Sequence, residues 1–478
     1  MTSTGDRRSA VLVGVGTANE AAEAAELMVL AVQRAADDAG ARSLLAAVDR
    51  IAVPMGTWAY TDPARLVAVG IGAGEAETHA GEIGVSQQTL VSQALRAIVA
   101  GTSEVAVVVG GEARSFGRDG GIETEQRGPA PDVVHTREPE YLARPEIAAG
   151  LTSPVQQYAM IDNALRHAEG RSVDQQRDEI AELWARCNVV ARGNPLAAFP
   201  DPRSAADIAN PGPKNRPLSF PYNKWHASQW TVDQAAALII CSVEAARRHR
   251  VPTDRWIFPL VGIDASHSVS LSRRHQLHTW PAMGVLGRAA AGRIGRPLTD
   301  VEVTEVYSCF PAAVRVQQRE LGLPGDGTPT ITGGMTFAGG PFNNFTYQAT
   351  AAVVPRLRRA PGSLGLITTV SGLLTKPGLA VWSSNPDGRS PLICDLAEAV
   401  ATASVEVEVL DTYHGEATVV SYTVTPEDMV PARVVILAQT PDGRRCVAAS
   451  EDSALATAAT VGEFIGTPVQ VRGGSFSL

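Results

Sequence analysis

Hydrophobic and polar positions alternate with three different periods along this chain, and the changes of period divide it. AVLVGVG (10–16) is a short β-rich run ending in glycine. Residues 20–39 carry helical spacing that stops at Gly40, and VDRIAVP (48–54) reads as a second strand stopped by Pro54. ARLVAVGIG (64–72) predicts a short helix. QQTLVSQALRAIVAG (87–101) puts Leu90, Ala94, Ala97 and Ile98 on one helical face and closes at Gly101. EVAVVVGGE (104–112) is almost continuously apolar, as in a strand buried on both faces of a sheet.

Between 113 and 230 this regularity breaks. Gly, Pro and Arg punctuate the stretch, and helical patterns occur only near 154–168 and 174–192. NPGPKNRPLSFPYNKWHASQW (210–230) is rich in proline and carries Trp225 and Trp230, the composition of an ordered loop. Alternation then resumes. AALIICSVEAARR (235–247) runs from strand into helix, and IFPLVGIDAS (257–266), VEVTEVY (301–307) and LGLITTV (364–370) read as buried strands, with helical patterns near 311–322 and 344–358. The two alternating stretches follow a similar order, which suggests a duplicated α/β unit with a long loop inserted in the first copy.

From about Val405 the period becomes two. VEVEVLDTYHGEATVVSYTVT, RVVILAQTPDGRRCVAA and PVQVRGG alternate apolar and polar residues, and PDGRR (441–445) supplies a hairpin turn. A small OB-like β-barrel is expected over 405–478.

Composition narrows the class. The chain has 478 residues, 45% of them hydrophobic, which fits a globular protein of about three domains. No apolar run approaches the length that spans a bilayer, and the N-terminal MTSTGDRRSAVLVGVG reads as a first core strand rather than a signal peptide. Cys187, Cys241, Cys309, Cys394 and Cys446 are widely spaced with no C-x-x-C, which argues against a disulfide framework or a zinc site and for a reducing, cytoplasmic compartment. A net charge of −9 disfavours nucleic acid but leaves room for a small anion in a local basic pocket. Lysine is scarce: Lys214, Lys224 and Lys376 stand against 38 arginines.

GGMTFAGGP (333–341) resembles the GGxxxxGHP loop of thiolases and their sterol-carrier-protein relatives, with Gly340 at the histidine position. Three further segments extend the resemblance over about residues 9–390. GEIGVSQQTLVSQALRAIVAG (81–101) resembles the segment that carries the thiolase nucleophile, placing it near Val85, with Gly84 or Ser86 as neighbours, and no cysteine is there. Ser86 reads foremost as a helix N-cap. His79, seven residues before it, is a weak candidate for a base. EVYSCFPAAV (305–314) resembles the NEAF or HDCF loop, with Tyr307 at the Asn/His position followed by Ser308, and Cys309 at a position the family does not use as nucleophile. TTVSGLLTKPG (368–378) resembles the C-x-G segment, with Val370-Ser371-Gly372 in its place.

This resemblance implies a thiolase fold: two duplicated α/β halves forming a five-layered αβαβα core, with a loop domain. The halves are expected over 1–250, including the loop domain at about 113–230, and over 251–395. It implies acetyl-CoA acetyltransferase-like ancestry in lipid or acyl-CoA metabolism, coenzyme A or an acyl-CoA as ligand, and a dimer or tetramer, with a monomer left open. The residues at the four catalytic positions imply a non-thiolytic acyl-CoA binder. Two alternatives stand beside it: an acyltransferase or lyase using other residues, and a scaffold whose barrel recruits a partner enzyme.

Other residues that bear on a ligand lie in the 210–230 loop. Lys214, Arg216, Lys224, His226 and Gln229 supply charge and hydrogen bonds, and Trp225 and Trp230 offer flat faces for adenine or an acyl tunnel. The bland reading is that the tryptophans wedge the loop onto the core and the polar groups satisfy its backbone. No G-x-x-x-x-G-K-[ST], G-x-S-x-G or H-E-x-x-H occurs, and GVGTAN (14–19) lacks the third glycine of a dinucleotide fingerprint. His275 and His278, beside Arg273 and Arg274, read as an exposed helix face rather than a metal pair.

Overall fold

The computed structural model describes residues 8–121, 128–137 and 141–478. Two sheets carry the body. The first has six strands in the order Ala10–Ala18, Asp233–Ser242, Val105–Ala113, Arg50–Pro54, Glu77–Gly81, Val133–His135. The second has five, in the order Val303–Glu305, Leu364–Ser371, Lys376–Ser383, Phe258–Asp264, Leu392–Asp395. The duplication inferred from the sequence is visible in the pairing. Ala10–Ala18 runs antiparallel to Asp233–Ser242, which runs antiparallel to Val105–Ala113, which runs parallel to Arg50–Pro54. Phe258–Asp264, Lys376–Ser383, Leu364–Ser371 and Val303–Glu305 repeat those relations in that order.

Helices complete a five-layered αβαβα stack. Ala24–Asp38 and Pro63–Ile71 cover the outer face of the first sheet, and alanines and valines fill the space between. Strand Ala10–Ala18 comes unusually close to Ala24–Asp38, because a Cβ on Gly14 or Gly16 would overlap the carbonyl oxygens of Ala35 or Ala31. Gln87–Ala100 and Phe345–Arg359 lie between the sheets and touch both. Gly101 ends the first of these in the left-handed conformation at φ 76°, which glycine adopts without steric cost. Pro281–Ile294 packs on the second sheet with Pro311–Leu321 beside it.

The structure departs from the sequence reading in several places. Strands Glu77–Gly81 and Lys376–Ser383 and helix Pro281–Ile294 were not legible in the pattern. His275 and His278 lie in a turn after a single helical turn at Leu271–Arg273, not on a helix face. Among the described residues no cluster of metal-ligating side chains occurs.

Between the first sheet's strands, Pro154–Ala168 and Val173–Arg192 form the two helices read from the sequence, and the 210–230 stretch is an ordered loop with one short hairpin, Pro217–Ser219 with Tyr222–Asn223. At the C-terminus a closed barrel forms in the order His414–Glu427, Val430–Gln439, Arg445–Ser450, Ser475–Ser477, Pro468–Arg472. Residues 405–410 are a strap rather than a barrel strand. Its backbone bonds run to His275 and Arg273 on one side and to Arg445 on the other. The barrel is docked by buried polar contacts: Asn163 Nδ2 donates to Tyr422 O at 2.9 Å, Ser421 Oγ to Met160 O at 2.6 Å, and Arg166 pairs with Glu463 through both terminal nitrogens. Val435, Leu437, Val447 and Ala449 join the core of the body.

Candidate functional site

The four motif segments meet. Ser371 Oγ donates to Gly84 O at 2.8 Å, joining the Val370–Gly372 segment to the start of helix Gln87–Ala100. Gln87 Oε1 accepts from Thr346 N at 2.7 Å and Gln87 O accepts from the Tyr347 hydroxyl at 3.2 Å, so the start of helix Gln87–Ala100 is fixed to helix Phe345–Arg359. Ser308 Oγ accepts from Met335 N at 3.0 Å, which ties the Tyr307 loop to the glycine loop. Lys376 is buried at the same junction, its Nζ 3.9 Å from where a Cβ on Gly84 would stand.

The side chains at the candidate catalytic positions are closed in. Ser86, Tyr307, Ser308 and Val370 are buried, and Val85 is half-buried. Tyr307 sets its ring edge-on to Phe345 with centroids 5.8 Å apart, and its backbone N–H goes to Thr368 Oγ1. Burial holds the Tyr307 hydroxyl well above the usual phenol range. Ser86 occupies the N-cap position, but its side chain makes no capping bond, and Ser86 Oγ is buried without a partner. A Cβ on Gly340 would overlap Ser228 Oγ, so the space a side chain would take there belongs to Ser228. Cys309 is pushed up to about 12 by burial, so its thiol is protonated at neutral pH and a poor nucleophile. Phe337 packs elsewhere, stacked on Trp225 at 6.2 Å.

The 210–230 loop is sewn to this site by its backbone. Ser228 N donates to Cys309 O at 2.9 Å, Gln229 N to Met335 O at 3.1 Å, and Gly340 N to Gln229 O at 2.9 Å. Gln229 Nε2 closes the loop on itself through the carbonyls of Lys224 and Ala227. Trp225 lies between Phe337 and the Arg203 guanidinium, 3.5 Å from its ring centre, so both faces are occupied. His226 is fully buried; its Nδ1 accepts from Asn223 N at 3.0 Å, and burial drives it down to about 3, so it is neutral. Lys214, Arg216 and Trp230 are exposed, Lys224 is half-buried, and Arg114 sits 3.8 Å over the Trp230 ring. His79 Nε2 pairs with Glu77 on its own strand at 2.7 Å, and its Nδ1 faces Arg50 on the neighbouring strand and His135.

Two structural residues of the site escaped the sequence reading. Gln87 had been read only as the first residue of a helix, and Ser228 as part of a loop. No local pattern marks either, since each acquires its role from a partner more than a hundred residues away.

Residues 395–474 match the family described as "Thiolase-like protein type 1 additional C-terminal domain". The chain is similar to a monomeric SCP2-thiolase like protein type 1 from Mycobacterium smegmatis, at 28% identity and a TM-score of 0.85, over 99% of both chains. In fold and in its added C-terminal domain, the chain is similar to the thiolase-like proteins of the sterol-carrier-protein-thiolase branch. Human mitochondrial 3-ketoacyl-CoA thiolase shares its fold, at 19% identity and a TM-score of 0.56 over 80% of this chain and 100% of that one. An acetyl-CoA acetyltransferase of Methanocaldococcus jannaschii is 30% identical over 133 residues, 28% of this chain; the match spans about a third, 32%, of that relative.

Proposed function

We propose that this thiolase-like protein binds coenzyme A or an acyl-CoA without thiolysis or condensation, as a component of lipid or acyl-CoA metabolism in the cytoplasm. The observation that carries the reading is the set of residues at the four meeting segments: Val85 and Ser86, Tyr307, Gly340 and Val370, with Ser228 Oγ in the room beside Gly340. General acid–base and oxyanion contributions are each worth roughly 10²–10⁴ in rate, so their combined loss leaves little turnover by that route. Ser86 Oγ, unpartnered at the start of a helix, remains a donor for a thioester or carboxyl oxygen.

The nucleotide end would meet the 210–230 loop, where Lys214, Arg216 and Lys224 supply positive charge and Trp230 a flat face. Trp225, His226 and Gln229 would shape that loop from within. Weak, salt-sensitive binding is expected, because phosphate contacts of this kind are worth roughly 1–3 kcal/mol each. Titration calorimetry of CoA against wild type and Lys224→Ala at two salt concentrations tests it. The expected result is affinity that falls with salt and with the substitution. Absence of binding at millimolar CoA would favour a scaffold role for the barrel instead. The relative from Mycobacterium smegmatis is described as monomeric, which supports a monomer here.

A further inference from the structure

A cavity of about 110 Å³ opens between the body and the strap that leads to the barrel, bordered by Leu374 and Thr375 at the end of the fourth motif segment. Its lining combines two cationic or donor side chains with the start of a helix. Arg274 is only 8% exposed. Its Nη2 donates to Leu373 O at 2.6 Å and its Nε to Val269 O at 3.3 Å, but its Nη1 has no partner. His267 also lines the cavity, and its Nε2 is buried with no partner. Trp280, Pro281 and Ala282 bring the N-terminus of the 14-residue helix Pro281–Ile294 to the wall. No side chain caps that end, and the Trp280 N–H is turned away to Glu320.

We propose that this cavity binds a small oxyanion, a single carboxylate or phosphate group, held by Arg274, His267 and the helix N-terminus. Three features argue for an anion rather than a structural strut alone. The strut role uses Nε and Nη2 of Arg274 and leaves Nη1 over. Among the described residues no acidic side chain lines the cavity, so a cation has nothing to hold it. Glu146, a buried carboxylate that acts on Arg274, is engaged with Ser272 N at 2.6 Å, Ala143 N at 3.2 Å and Gln157 Nε2 at 3.4 Å. Burial lowers the Arg274 guanidinium to about 10, which still leaves it charged at neutral pH. A buried charge and a helix N-terminus together form a ready anion site. A volume of about 110 Å³ admits a carboxylate or phosphate group. Because Arg274 also holds Leu373 O, the anion's seat and the turn that follows Val370 share one guanidinium.

The test is a thermal-shift titration of the full chain with inorganic phosphate, acetate and chloride at constant ionic strength, on wild type, Arg274→Gln and His267→Ala. A saturable rise in Tm with phosphate or acetate, absent with chloride, is expected in wild type. That rise should vanish in Arg274→Gln, and half-saturation should move about tenfold higher in His267→Ala, as loss of a charge-assisted hydrogen bond implies. Phosphate saturating without acetate would assign a phosphate group, and the converse a carboxylate. A rise that never saturates is the general effect of excluded salts and overturns the proposal. So does a saturable rise of equal midpoint in all three proteins. If Arg274→Gln fails to fold, His267→Ala, whose side chain is partly exposed, decides the matter alone.

Discussion

At Gly340 the absence of a side chain is a packing requirement. A Cβ there would overlap Ser228 Oγ, and the Gly340 N–H is already committed to Gln229 O. Gly340→His is therefore expected to destabilise the fold by about 1–3 kcal/mol through overpacking, without creating thiolase activity. Adding Ser228→Gly should recover much of that loss. Urea denaturation of the two variants checks both; an unchanged midpoint in Gly340→His would contradict the packing account. His226 makes a second residue-scale prediction. Its folded pKa lies near 3, below the usual value of 6.5, so between those values the unfolded chain takes up a proton that the folded chain refuses. Its contribution to stability is present above pH 6.5 and is lost as pH falls toward 3, at about 1.4 kcal/mol per pH unit. The wild type minus His226→Gln difference in unfolding free energy should shrink with that sign on acidification. A difference independent of pH between 6.5 and 4 would mean the imidazole is not buried neutral.

At the scale of elements, legibility followed how local the cause was. Helices Gln87–Ala100, Pro154–Ala168 and Phe345–Arg359 carry their own periodicity and were read close to their ends. Strand Glu77–Gly81 reads ETHAG, with no alternation and one β-branched residue; it is extended because parallel neighbours pair it on both sides. Lys376–Ser383 begins Lys-Pro-Gly, a turn by local rules, yet Pro377 sits opposite Val370 in an antiparallel ladder. Helix Pro281–Ile294 was hidden by Gly284, Gly287 and Gly292. A Cβ on Gly287 would come within 2.8 Å of Leu321, and one on Gly284 within 3.0 Å of Glu320, so two of those glycines serve a helix contact the sequence does not announce. The candidate site was legible as segments, and its closure was not: Tyr307 meets Phe345, and Ser228 meets Gly340, only in three dimensions. The close strand–helix approach gives the prediction at this scale. Gly14→Val would drive a side chain into the Ala35 carbonyl and is expected to cost about 3 kcal/mol or more, or to leave the chain insoluble. Wild-type solubility and midpoint in Gly14→Val would show that strand and helix separate readily.

On the scale of the whole molecule, the alternation after Val405 corresponds to a closed barrel, and that barrel is docked on the body by the Arg166–Glu463 pair and by apolar residues that join the body's core. The strap at 405–410 and the loop at 267–280 make this junction a second region of chemical interest, which touches the fourth motif segment at Leu373, Leu374 and Thr375. The fold retains the thiolase layers, with Ser86, Tyr307, Ser308 and Val370 buried where the four segments meet, and the central claim is recognition of an acyl-CoA without turnover. Calorimetric titration of acetoacetyl-CoA into the protein in the presence of free CoA tests that claim most directly. The account predicts a binding isotherm in which heat flow returns to the original baseline after every injection. A baseline displaced in proportion to enzyme, the signature of continuing thiolysis, would contradict it, and so would the absence of any binding heat at millimolar ligand.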